Sequence, residues 1–79
     1  MALTTATPRN QFRRPNRQLQ ALRINEGLSP NDLAYRAGLS GNTIRLAEAG
    51  FRPMPRTQFA IARVFQKLPL DIWPLEEQR

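Results

Sequence analysis

Apolar positions in this chain recur every three or four residues in short blocks, each closed by glycine or proline. Leu19 and Leu22 open the pattern, three apart, in a segment that Asn16 can cap and Gly27 can stop. This predicts a helix over about Arg17 to Glu26, with Gln18, Arg23 and Asn25 outward and Leu28 adding to the core beyond its end. Leu33, Ala34 and Ala37 share the next helical face. Ser29 precedes that block, Pro30 takes the first helical position, and Asp32 follows the serine by three, the Ser-x-x-acid form of a capping box. Gly38 ends this helix, Leu39 is an apolar plug, and Ser40 caps a further helix that runs to Ala49 and stops at Gly50. At about 100° per residue, Ile44 and Ala47 face one way and Asn42, Arg45, Leu46 and Ala49 the other.

Two prolines, Pro53 and Pro55, force an extended link over 51–56. A fourth helix is predicted over about Thr57 to Leu68. Its apolar stripe is Phe59, Ala62 and Phe65, widened by Ile61, Val64 and Leu68, with Arg63, Gln66 and Lys67 on the polar side. Pro69 ends it, and Leu70 to Trp73 form one last turn closed by Pro74. The pattern thus gives an all-α chain of five helices without strands, internal repeats or low-complexity segments. The predicted core is Leu19, Leu22, Leu28, Leu33, Ala34, Ala37, Leu39, Ile44, Ala47, Phe59, Ala62, Phe65 and Ile72.

Small residues mark the centre. Ala34 allows two steeply crossing helices to approach, and Gly38 supplies a positive φ that other residues adopt only at a cost of about 1 kcal/mol or more. Two short helices joined by such a turn form a helix-turn-helix, whose second helix can enter the DNA major groove.

Gly27-Leu28-Ser29, Leu33-Ala34, Gly38-Leu39-Ser40, Thr43-Ile44, Glu48, Gly50 and Pro53 resemble the Cro/phage-repressor (XRE-like) helix-turn-helix domain. The resemblance continues through Ile61-Ala62 to Leu70-Asp71-Ile72-Trp73 and covers roughly Leu19 to Trp73. It implies a compact five-helix lambda-repressor-like domain over residues 17–75, while residues 1–16, with two prolines and no helical or strand period, read as a flexible basic arm and 76–79 as a frayed tail. It also implies double-stranded DNA as partner, backbone contacts just past the recognition helix, and pairing through the last turn.

Composition narrows the chemistry. Seventy-nine residues make one domain with a core near the minimum for independent folding, and leave no room for a ligand-sensing or catalytic second domain. The sequence lacks cysteine and histidine, so disulfides, thiolate metal sites and the commonest general base are all excluded. Ser29 and Ser40 are accounted for as caps. Glu26, Asp32 and Glu48 have no metal-ligand spacing, and Glu48 is expected to pair with a nearby arginine. We therefore expect no enzyme, cofactor, metal or small-molecule ligand. No apolar run approaches the ~20 residues of a bilayer span, and Met1 to Thr7 lack the features of a signal peptide, which predicts a cytoplasmic protein.

The net charge of +6 is unevenly placed. Residues 1–56 hold nine arginines and only three acids, whereas 57–79 are balanced. The positive field lies in the arm and the helix-turn-helix, as a polyanion-binding surface requires. Arg9, Arg13 and Arg14 meet no acid in the arm, where Phe12 is expected to pack on the domain. Candidate base contacts are Ser40, Gly41, Asn42, Arg45 and Leu46. Candidate backbone contacts are Arg14, Arg17, Asn31, Arg36, Thr43, Arg52 and Arg56. Ile72, Trp73 and Leu75 are candidate contacts of a weak homodimer, the alternative being that Trp73 completes a monomer's core. The leading expectation is a small Cro-like repressor, of phage or host origin. The competing one is a protein-interaction module, such as an antitoxin or partner domain, on the same scaffold.

Overall fold

The computed structural model describes residues 14–75. The arm residues Arg9, Phe12 and Arg13 and the tail 76–79 lie outside the described residues. Five helices follow one another: α1 (Arg17–Asn25), α2 (Pro30–Ala37), α3 (Gly41–Glu48), α4 (Pro55–Val64) and α5 (Pro69–Ile72). No strand occurs among the described residues. The helix α2 packs on both α3 and α4, α1 on α3, and α5 on α4.

The starts of the helices are chemically explicit. Asn16 Oδ1 accepts the Leu19 N–H at 3.0 Å. In the capping box of α2, Ser29 Oγ accepts from Asp32 N–H at 3.0 Å and Asp32 Oδ2 accepts from Ser29 N–H at 2.9 Å. Asp71 Oδ2 accepts the Leu68 N–H at 2.9 Å ahead of α5. Pro30, Pro55 and Pro69 each open a helix, where a missing N–H does no harm.

Four helices stop in one manner. After α1, α2, α3 and α4 comes a residue with positive φ: Gly27 at 71°, Gly38 at 74°, Gly50 at 111° and Gln66 at 55°. The next N–H then reaches back to the helix, Leu28 to Arg23 O, Leu39 to Ala34 O, Phe51 to Leu46 O and Lys67 to Ala62 O. This is the Schellman arrangement, and it satisfies carbonyls that the helix end would leave unpaired. Its fourth instance corrects the predicted end of the last long helix. That helix ends at Val64 rather than Leu68, because Gln66 takes the left-handed conformation.

Leu19, Leu33, Ile44 and Ile61 are the largest fully buried side chains, each stabilising the fold by roughly 1.5–3 kcal/mol. Leu28, Ala34, Ala37, Ala47, Ala62, Ile72 and Trp73 complete the core, with Leu22, Leu39, Val64 and Phe65 half-buried against it. Phe59 departs from expectation. It is 61% exposed, while Gln58, Ile61 and Ala62 are the buried residues of α4. Buried Gln58 is not unpaired, since its Nε2 donates to Pro53 O at 2.8 Å and ties the proline link to α4. Trp73 is 4% exposed, so it belongs to the chain's own core alongside Ile72, and Leu75 alone of the three candidate dimer residues is exposed.

Candidate nucleic-acid interface

The turn between α2 and α3 sets the direction of α3. Gly38 is left-handed, and a Cβ added there would meet nothing within 4 Å, so φ alone demands glycine. Ser40 Oγ then accepts from Thr43 N–H at 3.2 Å and shares a hydrogen bond with Thr43 Oγ1 at 2.9 Å. The hydroxyls of Ser40 and Thr43 therefore fasten the tip of α3 to itself.

Along α3 the division into two faces follows the periodicity. Ile44, Ala47 and Glu48 are buried, whereas Asn42, Arg45, Leu46 and Ala49 are exposed. Leu46, which the periodicity places on the outward face, is 44% exposed. The buried face is held from behind by charge as well as packing. Arg23 of α1 grips Glu48 through two hydrogen bonds, Nε to Oε2 and Nη2 to Oε1, the latter at 3.0 Å, and sends Nη1 to Leu28 O at 2.8 Å. Glu48 is thus the paired acid expected, but the pair is largely buried rather than exposed, and Arg23 is not an outward residue. The hydrogen bond to Glu48 raises the Arg23 pKa above its ordinary value against the opposing effect of desolvation. Two donors close the end of α3 on the Glu48 carbonyl, Asn16 N–H at 2.9 Å and Gln20 Nε2 at 3.2 Å.

Candidate contact residues fall into distinct groups. Arg45 Nη2 donates to Asn31 Oδ1 at 3.2 Å, with Gly41 between them. Arg14, Arg17 and Arg52 line one depression of about 360 Å³ beside Gly50 and Pro74. Arg52 also borders a second, of about 240 Å³, together with Thr43 and Leu46, so the cations are continuous with the flank of α3. Yet Arg52 is already engaged, donating to Trp73 O at 3.1 Å and Pro74 O at 3.3 Å. Arg36 lies apart with Asp32 and Tyr35, and Arg56 borders a groove of about 620 Å³ with Phe59, Arg63, Lys67 and Leu68. Tyr35 is a surface residue that hydropathy leaves unassigned. It is 88% exposed on α2, four residues from Asn31, and only its helical spacing could have flagged it.

Two helices joined by a left-handed glycine, one face of the second sealed and the other exposed among arginines, define a helix-turn-helix DNA-binding domain. Residues 17–66 match the helix-turn-helix domain family, and the chain belongs to it. No curated protein and no solved structure matches the chain. Among the described residues no helix is long and apolar enough to cross a membrane.

Proposed function

We propose that the chain binds double-stranded DNA sequence-specifically, as a small Cro-like transcriptional repressor that inserts α3 into the major groove. The observation that carries this reading is the polar face of α3. Asn42 and Arg45 stand exposed on a helix whose opposite face is fixed by Ile44, Ala47 and the Arg23–Glu48 pair. Asparagine can pair bidentately with adenine and arginine with guanine, each worth about 1–3 kcal/mol of discrimination. Leu46 offers an apolar contact to a thymine methyl, and Ser40 stands at the helix tip that approaches the duplex. Arg14, Arg17, Arg36, Thr43, Arg52 and Arg56 supply sequence-independent affinity through phosphates, whereas the Asn31 carbonyl oxygen is engaged by Arg45. For Arg52 this requires exchanging the carbonyls of Trp73 and Pro74 for a phosphate oxygen.

Selection of bound sequences from random duplexes tests the reading directly, since it returns the site, its symmetry and its half-site spacing. Asn42→Ala and Arg45→Ala are each expected to relax the consensus at separate, defined positions. Equal loss of affinity for every sequence in both mutants would remove α3 from the role of reader. Failure to enrich any sequence would favour an interaction module, for which the groove around exposed Phe59 is the available surface.

A further inference from the structure

Three residues meet where the first turn of α2 approaches the first turns of α3. Asn31 Oδ1 accepts a hydrogen bond from Arg45 Nη2 at 3.2 Å. Gly41 lies in the gap between them. A Cβ added at Gly41 would overlap Asn31 Oδ1, stand 3.2 Å from Asn31 Cγ and approach Arg45 Nη1 to 3.0 Å. Nothing in the backbone asks for glycine at this point, because Gly41, unlike Gly27, Gly38 and Gly50, does not have a positive φ. It occupies the first position of a helix, where alanine is the more stable choice. Its missing side chain is explained by what fills the space.

We infer that Asn31 is a positioning residue for Arg45, and that Gly41 is the opening through which the two side chains meet. Together they set the base preference at the one position Arg45 faces. The inference rests on α3 being the base-reading helix. A guanidinium has five N–H donors, and Asn31 takes one of them. Four remain, and a bidentate contact to guanine O6 and N7 needs two. Asn31 therefore holds Arg45 without competing for the base. A long, otherwise mobile arginine is restricted before DNA arrives, so less freedom is lost on binding and a base without two acceptors is rejected more strongly.

The test combines base preference with behaviour of the free protein. Asn31→Ala is expected to reduce preference at the Arg45 position by about five- to tenfold, with affinity for unrelated duplexes changed by less than about twofold. Asn31→Asp keeps the acceptor. It should retain that preference while weakening binding to all sequences, because a carboxylate then faces the phosphates. Gly41→Ala should match the Asn31→Ala loss of preference with an unchanged or higher thermal midpoint, and add nothing further in the Asn31→Ala background. In the free protein, nitrogen NMR should find rotation of the Arg45 guanidinium hindered in the wild type and faster in Asn31→Ala. If Asn31→Ala lowers affinity for every duplex by one factor and leaves the consensus intact, Asn31 is a phosphate contact and the inference is overturned. If Arg45→Ala leaves the consensus intact, the reading of α3 fails instead, and the two failures are distinct.

Discussion

Gln66 does at the end of α4 what glycine does at the ends of α1, α2 and α3. Its φ of 55° is the only positive value among the described non-glycine residues. A side chain in that region costs roughly 1–2 kcal/mol, partly offset because glycine loses more freedom on folding. Gln66→Gly should therefore stabilise the domain by about 0.5–1 kcal/mol, seen as a thermal midpoint higher by a few degrees. A lower midpoint would mean that the glutamine side chain contributes contacts outweighing the strain. The same contrast explains what could be read from residues alone. Gly27, Gly38 and Gly50 announce helix ends because their freedom is visible in the sequence, whereas glutamine carries no such mark. Asp32 offers a second prediction at this scale. Hydrogen bonds from the Ser29 backbone and side chain hold its carboxyl below the usual carboxylate range. A carboxylate favoured by folding stabilises fully above its unfolded pKa, and that contribution fades as pH falls through the folded one. Asp32→Asn should thus lower the midpoint at about pH 6, and the gap to wild type should close by about pH 2. A gap that persisted at the acid end would assign the effect to shape rather than charge.

Among the elements, α3 was legible, and of its fastening the pairing of Glu48 with an arginine but not which arginine. Periodicity separates Ile44 and Ala47 from Asn42 and Arg45, because a helix with one buried face must alternate in that way. The pairing of Arg23 with Glu48 joins residues 25 apart, and no local pattern announces it. In α4, Phe59 and Ile61 are both apolar, so hydropathy could not choose between adjacent faces. Packing against α2 and α5 chose Ile61. The pair also carries a prediction. Removing one partner of a largely buried ion pair leaves the other charge uncompensated, which costs about 3 kcal/mol or more. Glu48→Ala should accordingly destabilise the domain by about that much in urea denaturation followed by the fluorescence of Trp73, the single tryptophan. Loss of under about 0.5 kcal/mol would reduce the pair to the level of an exposed one.

At the scale of the whole molecule, charge and the last turn bear differently on the proposed binding to DNA. Ile72 and Trp73 lie in the chain's own core, as the monomer alternative expects, so a weak homodimer through the last turn would have only Leu75 of the three as an exposed apolar contact. Two protomers would then be brought together mainly by adjacent half-sites rather than by their own affinity. The charge makes the sharper prediction. Among the described residues, Arg14, Arg17, Arg36, Arg52 and Arg56 are exposed and placed around the helix-turn-helix, and Arg9 and Arg13 extend the series in sequence. Each phosphate neutralised on B-DNA contributes about −0.9 to the slope of log affinity against log salt, so roughly four to six contacts give about −4 to −5 per protomer. Deleting residues 1–14 removes Arg9, Arg13 and the candidate phosphate contact Arg14, and should weaken binding and flatten the slope by about 1 to 3 while leaving the selected sequence unchanged. The measurement is a salt titration of full-length and shortened protein on one duplex, repeated with an Asn42→Ala control. That control should lose specificity at constant slope, since a base contact releases no counterion. A slope unchanged by the deletion would confine phosphate recognition to the helical domain.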